Sequence, residues 1–247
     1  MPKFCLLLSI FFLSTLLYSL FAQDIVTDRP DQTESARAVP LGSFQVETGS
    51  MIEIDNIQRN WVLNTSLFRY GVVKNLEFRL VTELIHTKAR IEQEALTGIS
   101  DLQFGLKFQF LNGPTQVAYL GHLVLPTGNL NVSSGTIGMR HIAAIGHDLS
   151  DRMSVGYNIG IDYFDSVNYA GIYSLATGIG LTDKVSFFAE IYGDWFLFDA
   201  FNVLFDQGFT WLLKPNLQLD FSMGTGISSK SNFFSVGVSW LVPYTNK

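Results

Sequence analysis

Cysteine is almost absent from this chain: its one copy, Cys5, lies in the apolar stretch at the N-terminus. No disulfide framework can therefore hold the body together, which leaves sheet closure or a large core to do so. Charge is scarce as well. Charged residues make up 15% of the 247 residues, against about 25% in an ordinary soluble domain. Disorder, which needs low hydrophobicity and high charge, is excluded. The net charge of −6 and the lack of any basic stripe exclude a nucleic-acid binder. Beyond the N-terminus no apolar run reaches the roughly 18 residues of a membrane-spanning helix, so a polytopic helical membrane protein is excluded. What is abundant is aromatic side chain, at 14%. A large soluble β protein or a membrane β-barrel remains.

The N-terminus sets the compartment. Lys3 is followed by a nearly continuous apolar stretch from Phe4 to Phe21, then Ala22 and the polar Gln23-Asp24. This order reads as a secretory signal over residues 1–22, cut after Ala22. Cleavage removes Cys5 and Lys3, so the mature net charge falls from −6 to −7. Residues 23–42 are polar, carry Pro30, Pro40 and Gly42, and show no apolar period. They form a leader ahead of a body spanning 43–247.

From Ser43 onward the sequence alternates with period two, the mark of strands with two unlike faces. Leu102, Phe104, Leu106, Phe108 and Phe110 alternate with Asp101, Gln103, Gly105, Lys107 and Gln109. Met153, Val155, Tyr157, Ile159 and Ile161 alternate with Ser154, Gly156, Asn158, Gly160 and Asp162. The pattern predicts twelve strands, at 43–54, 60–70, 76–86, 99–111, 115–125, 136–149, 153–164, 170–182, 185–196, 203–214, 217–227 and 232–242. Strands 60–70 and 136–149 mix residue types on both faces, so their facing is left open. Tight breaks such as Asn112-Gly113-Pro114 and Lys214-Pro215-Asn216 carry turn residues. They alternate with longer breaks, the clearest being Thr87–Gly98 and Pro126–Gly135. An even number of strands, with short turns at one end and longer loops at the other, describes an all-β, closed, antiparallel outer-membrane barrel of a Gram-negative bacterium. Trp61, Tyr163, Tyr173, Trp195, Trp211 and Trp240 lie near strand ends, where interfacial aromatic girdles sit. A secreted sandwich would alternate similarly, but it would guard its edges with lysine. Lysine is scarce here, and the polar face is rich in glycine.

Laid in order, several motifs resemble one bacterial family. Thr27-Asp28-Arg29-Pro30-Asp31-Gln32-Thr33-Glu34-Ser35 and Val39-Pro40-Leu41-Gly42-Ser43-Phe44-Gln45-Val46-Glu47-Thr48-Gly49 open it. Arg69-Tyr70-Gly71, Asn75-Leu76-Glu77-Phe78-Arg79, Gly98-Ile99-Ser100-Asp101-Leu102, Leu125-Pro126-Thr127-Gly128 and Pro215-Asn216-Leu217-Gln218-Leu219-Asp220 follow. The chain is similar in these stretches to the outer-membrane "transporter" family labelled as putative MetA-pathway of phenol degradation proteins. The resemblance implies a barrel, a transport role, outer-membrane lipid as surroundings and small, apolar or aromatic solutes. It covers essentially the whole mature chain, and the departure from the pattern is the stretch Tyr244-Thr245-Asn246-Lys247, without the terminal Phe common in proteobacterial barrels, which bears on the assembly signal and not on the fold.

Two groups of residues are candidates for function. The leader, with Asp28, Arg29, Asp31, Glu34 and Arg37, is too polar for lipid. It either folds into the lumen as a plug or trails as a tail. Strand parity turns Glu47, Glu53, Glu77, Arg79, Glu83, Asp101, Lys107, Asp162, Glu190, Asp194 and Asp220 inward, joined by Arg69 and Arg140. Such a wall is either a polar path with an acidic bias, favouring neutral or cationic solutes, or an ion-paired filling of a small barrel. No catalytic set, metal site or cofactor motif emerges. Histidines 86, 122, 141 and 147 lack Cys/His metal spacing. Neither His141-Ile142-Ala143 nor His147-Asp148-Leu149 places a serine two residues on, as a lipid hydrolase on a strand face would need. The leading expectation is a channel for small molecules. Its rivals are a non-conducting structural or receptor barrel and a lipid-modifying enzyme. Oligomeric state is not legible in alternation.

Overall fold

The computed structural model describes residues 25–55, 58–89, 95–130, 132–164, 169–196 and 201–244. The proposed signal, 1–22, lies outside the described residues. The body consists of strands β1 (Phe44–Ile54), β2 (Gln58–Val73), β3 (Leu76–Ala89), β4 (Ala95–Ile99), β5 (Leu102–Leu111), β6 (Thr115–Leu125) and β7 (Gly138–Ser150). It continues with β8 (Met153–Tyr163), β9 (Tyr169–Gly180), β10 (Val185–Trp195), β11 (Phe201–Lys214), β12 (Leu217–Gly226) and β13 (Asn232–Val242).

Apart from β4 and β5, which both pair with β3, each strand pairs antiparallel with its sequence neighbours, and β1 pairs with both β2 and β13, so the sheet closes on itself. Closure removes every long edge, which explains how the chain dispenses with edge lysines. β4 and β5 pair with successive parts of β3: Leu84–Lys88 face β4, and Leu76–Val81 face β5. Together they occupy one position in the wall, so the barrel is twelve strands round, and the strand expected over 99–111 is broken at Ser100-Asp101.

The molecule is inverted relative to a soluble protein. Arg69, Arg79, Lys107, Glu47, Glu77, Glu190 and Asp206 are among the largest fully buried side chains. Phe78, Leu106, Phe108, Ile159, Ile161, Ile191, Trp211, Phe234, Val236 and Trp240 are exposed. Burial of unshielded charge in an apolar core would be prohibitive, whereas an apolar exterior suits lipid and a polar interior suits a lumen. Both termini of the barrel lie at the end carrying the tight turns, here the turn end. The opposite, loop end carries the longer connections.

The two strands with mixed faces have physical explanations. In β2 the pairing slips between Val62 and Asn64, and Leu63 accepts a hydrogen bond from Ser50 at its carbonyl, 2.7 Å away. This bulge reverses parity. Asn60, opposite Glu53, and Val62, opposite Met51, share the inner face with Thr65, Leu67 and Arg69 beyond the bulge. In β7 the even residues from Gly138 to Asp148 face inward, but Ile142 and Ala144 join Ala118 and Leu120 of β6 in an apolar patch on the lumen wall, where Ala36 packs.

Candidate functional site

The leader begins at the turn end, where the Ile25 amide donates to the Pro215 carbonyl at 2.8 Å. It returns there, where Gly42 and Ser43 bond Gly71 and Pro40. Between these points its polar groups bond side chains of β1, β2, β3, β5, β8, β9, β10, β12 and β13. Only a segment inside the barrel can reach walls on every side. Irregular backbone at membrane depth must find protein partners, and here the inner wall supplies them. Glu77 accepts from the Val39 amide at 2.7 Å, Gln109 from the Ala38 amide at 3.1 Å, and Glu47 from the Asp28 and Arg29 amides, both at 2.9 Å. Asn158 bonds Glu34 twice, accepting from its amide at 2.7 Å and donating to its carbonyl at 3.1 Å.

Asp28 is the centre of the arrangement. Its carboxylate is 3.1 Å from Arg69, 2.7 Å from Arg79 and 2.9 Å from Lys107. Arg69 also pairs with Glu47 at 2.8 Å and Glu77 at 2.9 Å, while Arg79 grips Glu34 of the leader at 2.8 Å. These groups come from β1, β2, β3 and β5, which lie side by side once the barrel closes. A second clamp is Arg29, which bonds Asp220 at 2.9 Å and Ser235 at 3.0 Å. Its guanidinium lies over Gly49 and Gly237, where a Cβ would overlap it. The glycines of the polar face thus make room for the leader at these two positions.

On the opposite wall, Thr33 donates to Glu190 at 2.5 Å and lies 2.7 Å from the Ser174 hydroxyl. The Gln32 amide donates to the same Glu190 at 2.7 Å. Asp206 stands directly across from Glu190 in the β10–β11 register. Among the described residues no cation pairs with Asp31, Glu190, Asp194 or Asp206. Two apolar anchors complete the docking: Ala36 on the β6–β7 patch, and Ile25 and Val39 against Leu241.

Many of the residues singled out from the sequence meet the leader. Asp28, Glu34, Glu47, Arg69, Glu77, Arg79 and Lys107 gather in one network, Arg29 meets Asp220, and Glu190 meets residues 32–33. Others sit apart from it. Arg140 and Asp162 form their own two-pronged pair at 2.6 and 2.5 Å, and Glu83 accepts from Thr65 at 3.1 Å. Glu53 accepts from Ser231 at 2.6 Å. Asp101 also stands outside the leader network. It sits at the break between β4 and β5, where it accepts from the Gly128 amide at 2.9 Å and the Ser134 amide and hydroxyl at 2.8 and 2.6 Å. It clamps the loop after β6 and does not touch the leader. Burial pushes its carboxyl up, but these hydrogen bonds prevail and hold it down at about 2.

Sequence reasoning overlooked Gln45, Gln109, Asn158, Ser174, Asp206 and His122, all inner-wall residues. Their parity was available, but Gln45, Gln109, Asn158 and Ser174 carry no charge signal, whereas Asp206 carries one and could have been found from its place in the strand expected over 203–214. His141 and His147 face outward. His141 is 2.5 Å from the Tyr119 hydroxyl, and His147 lies between Thr115 at 3.0 Å and Tyr157 at 3.2 Å. Neither bonds a serine among the described residues, and both fit amphipathic anchoring at a membrane interface.

At the loop end the leader floors a cavity of about 590 Å3, and towards the turn end a second of about 290 Å3 lies beneath it. Asp31 and Glu34 line both.

Residues 27–242 match the model of a protein family described as "Putative MetA-pathway of phenol degradation". Among solved structures, the chain is similar to the COG4313 outer membrane channel from Pseudomonas putida F1, with a TM-score of 0.71 over 83% of this chain and 97% of that one, at 13% identity. It is also similar to the KdgM porin in complex with disordered oligogalacturonate, with a TM-score of 0.57 over 81% and 99% of the two chains, at 11% identity. At such identities the likeness shows the fold. Comparison with curated proteins finds no match.

Proposed function

The chain belongs to the family described as "Putative MetA-pathway of phenol degradation", and on that premise we propose that it is an outer-membrane channel for small molecules whose lumen is throttled by its own N-terminal leader. In this reading residues 1–22 direct export and are removed, the turn end faces the periplasm and the loop end faces outward. The family's label points to small aromatic solutes. No residue need react; width, charge and the leader's position select what passes.

One observation carries the reading: the leader separates an outer from an inner cavity along the barrel axis, with Asp31 and Glu34 common to both. A barrel merely filled for stability would not need space on both sides of a thin partition. The test is planar-bilayer conductance of the mature chain beside a version lacking residues 24–42. A closed or small conductance in the intact protein and a large one in the deletion supports a leader-gated channel. Equal conductance removes the leader from the mechanism. No passage of ions or neutral solutes by either form refutes the channel.

A further inference from the structure

Charge is segregated across the lumen. On the side of β1, β2, β3 and β5, three cations, Arg69, Arg79 and Lys107, are met by Asp28, Glu34, Glu47 and Glu77 at short range. On the side of β10 and β11, Glu190, Asp194 and Asp206 face the lumen with Asp31 of the leader, and no cation pairs with them among the described residues. The outer cavity opens on this second side. Asp31 and Asp194 line it, together with Tyr192, Phe164, Ile172 and Leu204. The parity of β10 turns Tyr192 and Asp194 inward with the buried Glu190, and Tyr192 stands opposite Leu204 in the register. The one cation on the cavity wall among the described residues, Arg140, is held in both prongs by Asp162. A ligand there meets aromatic and aliphatic surface beside two carboxylates without counter-ions, with Asp194 directly across from Ile172 in the β9–β10 register.

We infer that the outer cavity is a binding site for organic cations, specifically small ammonium compounds bearing an apolar or aromatic group. The carboxylates supply the attraction for the ammonium. Tyr192 and Phe164 offer ring faces, which draw cations and cover the apolar part. An inorganic cation would leave the apolar surface unused, a neutral aromatic would leave the carboxylates uncompensated, and an anion would be repelled. The inference extends the proposed channel by naming a class of solute, and it rests on that reading only for transport, not for binding.

Binding is measured at equilibrium on the full-length protein in detergent, by calorimetry, with phenethylammonium, 2-phenylethanol, phenylacetate and tetramethylammonium. The expected order places phenethylammonium at least tenfold tighter than 2-phenylethanol, with phenylacetate weakest and tetramethylammonium weaker than phenethylammonium. Asp194→Asn should shrink the gap between phenethylammonium and 2-phenylethanol severalfold. Tyr192→Leu, which leaves the carboxylates in place, should shrink the gap between phenethylammonium and tetramethylammonium. Heat-modifiable migration on a gel checks that each variant is a closed barrel. Equal affinity for the alcohol or the acid, equal affinity for tetramethylammonium, no binding of phenethylammonium, or no response to either folded variant overturns the site. Because calorimetry does not depend on conduction, a protein that conducts without this preference refutes the site alone. One that binds phenethylammonium but passes nothing into liposomes refutes the channel alone.

Discussion

Replacing Asp28 with asparagine should release the leader. Both oxygens of the carboxylate accept from Lys107, at 3.0 and 2.9 Å, and Arg79 and Arg69 approach the same group at 2.7 and 3.1 Å. Breaking a buried ion pair costs about 3–5 kcal/mol, because a charge is left uncompensated. The low end applies here. Without the Asp28 carboxylate, Lys107 still has Glu34 at 3.6 Å and Glu77 at 3.9 Å, and the side-chain carbonyl of the introduced asparagine can still accept a hydrogen bond. With the leader withdrawn, water hydrates all three cations, so the penalty falls on the docked state alone. A loss of about 3 kcal/mol shifts the docking equilibrium roughly 100-fold. The mature chain has no cysteine if the signal is removed, so Ala36→Cys, at a buried leader position, reports release through its labelling by a bulky maleimide. Labelling of the Asp28→Asn protein should be roughly 100-fold faster, and single-channel records should show the large conductance of the leader deletion for a greater share of time. In combination with Lys107→Met the effect should be less than the sum of the two, since each removes the same pair. Unchanged labelling and conductance in a folded Asp28→Asn barrel would refute the claim that this network holds the leader.

The other clamps make separate predictions. Gly237→Val places a side chain where the Arg29 guanidinium lies, so it should cost about 1–3 kcal/mol of docking and speed Ala36→Cys labelling, with a weaker effect from Gly49→Ala. Ala36→Asp puts an unpaired charge against Ala118, Leu120, Ile142 and Ala144, and single-channel recording should find the leader released as in the deletion. For Asp101 the folded pKa, about 2, lies below the ordinary 3.8. Its stabilisation of the loop after β6 is therefore full above the ordinary value and is lost as pH falls towards about 2. Pepsin cleavage of that loop should be slower in the parent than in Asp101→Asn near pH 4, and the difference should vanish as the carboxylate protonates. A gap that persists below the folded pKa would count against the clamp.

Much of this architecture was legible along the chain. Alternation is a local property: each residue's face follows from its neighbours two places away, so strand positions, the apolar exterior and the inward set from Glu47 to Asp220 could be read one strand at a time. The break at Ser100-Asp101 could not, because the run from Leu102 to Phe110 continues the same period, and only the position of β3 and the loop bearing Gly128 and Ser134 divides it. The parity reversal in β2 was hidden for a related reason. A bulge is defined by the register with β1 and β3, so a single strand shows only mixed faces.

The leader marks the division most sharply. Its sequence declared a polar segment unsuited to lipid and rich in ions of both signs. Whether it entered the lumen depended on closure, which brings β1, β2, β3 and β5 together around Asp28 and sets β10 and β11 against its far side. Pairwise electrostatics falls off with distance, so residues as far apart in sequence as Arg29 and Asp220 count only once the fold has placed them in contact. The sequence by itself determined that the interior would be charged and the exterior apolar. The tertiary structure decided which charges would be neutralised, leaving one wall of the lumen saturated and the other acidic.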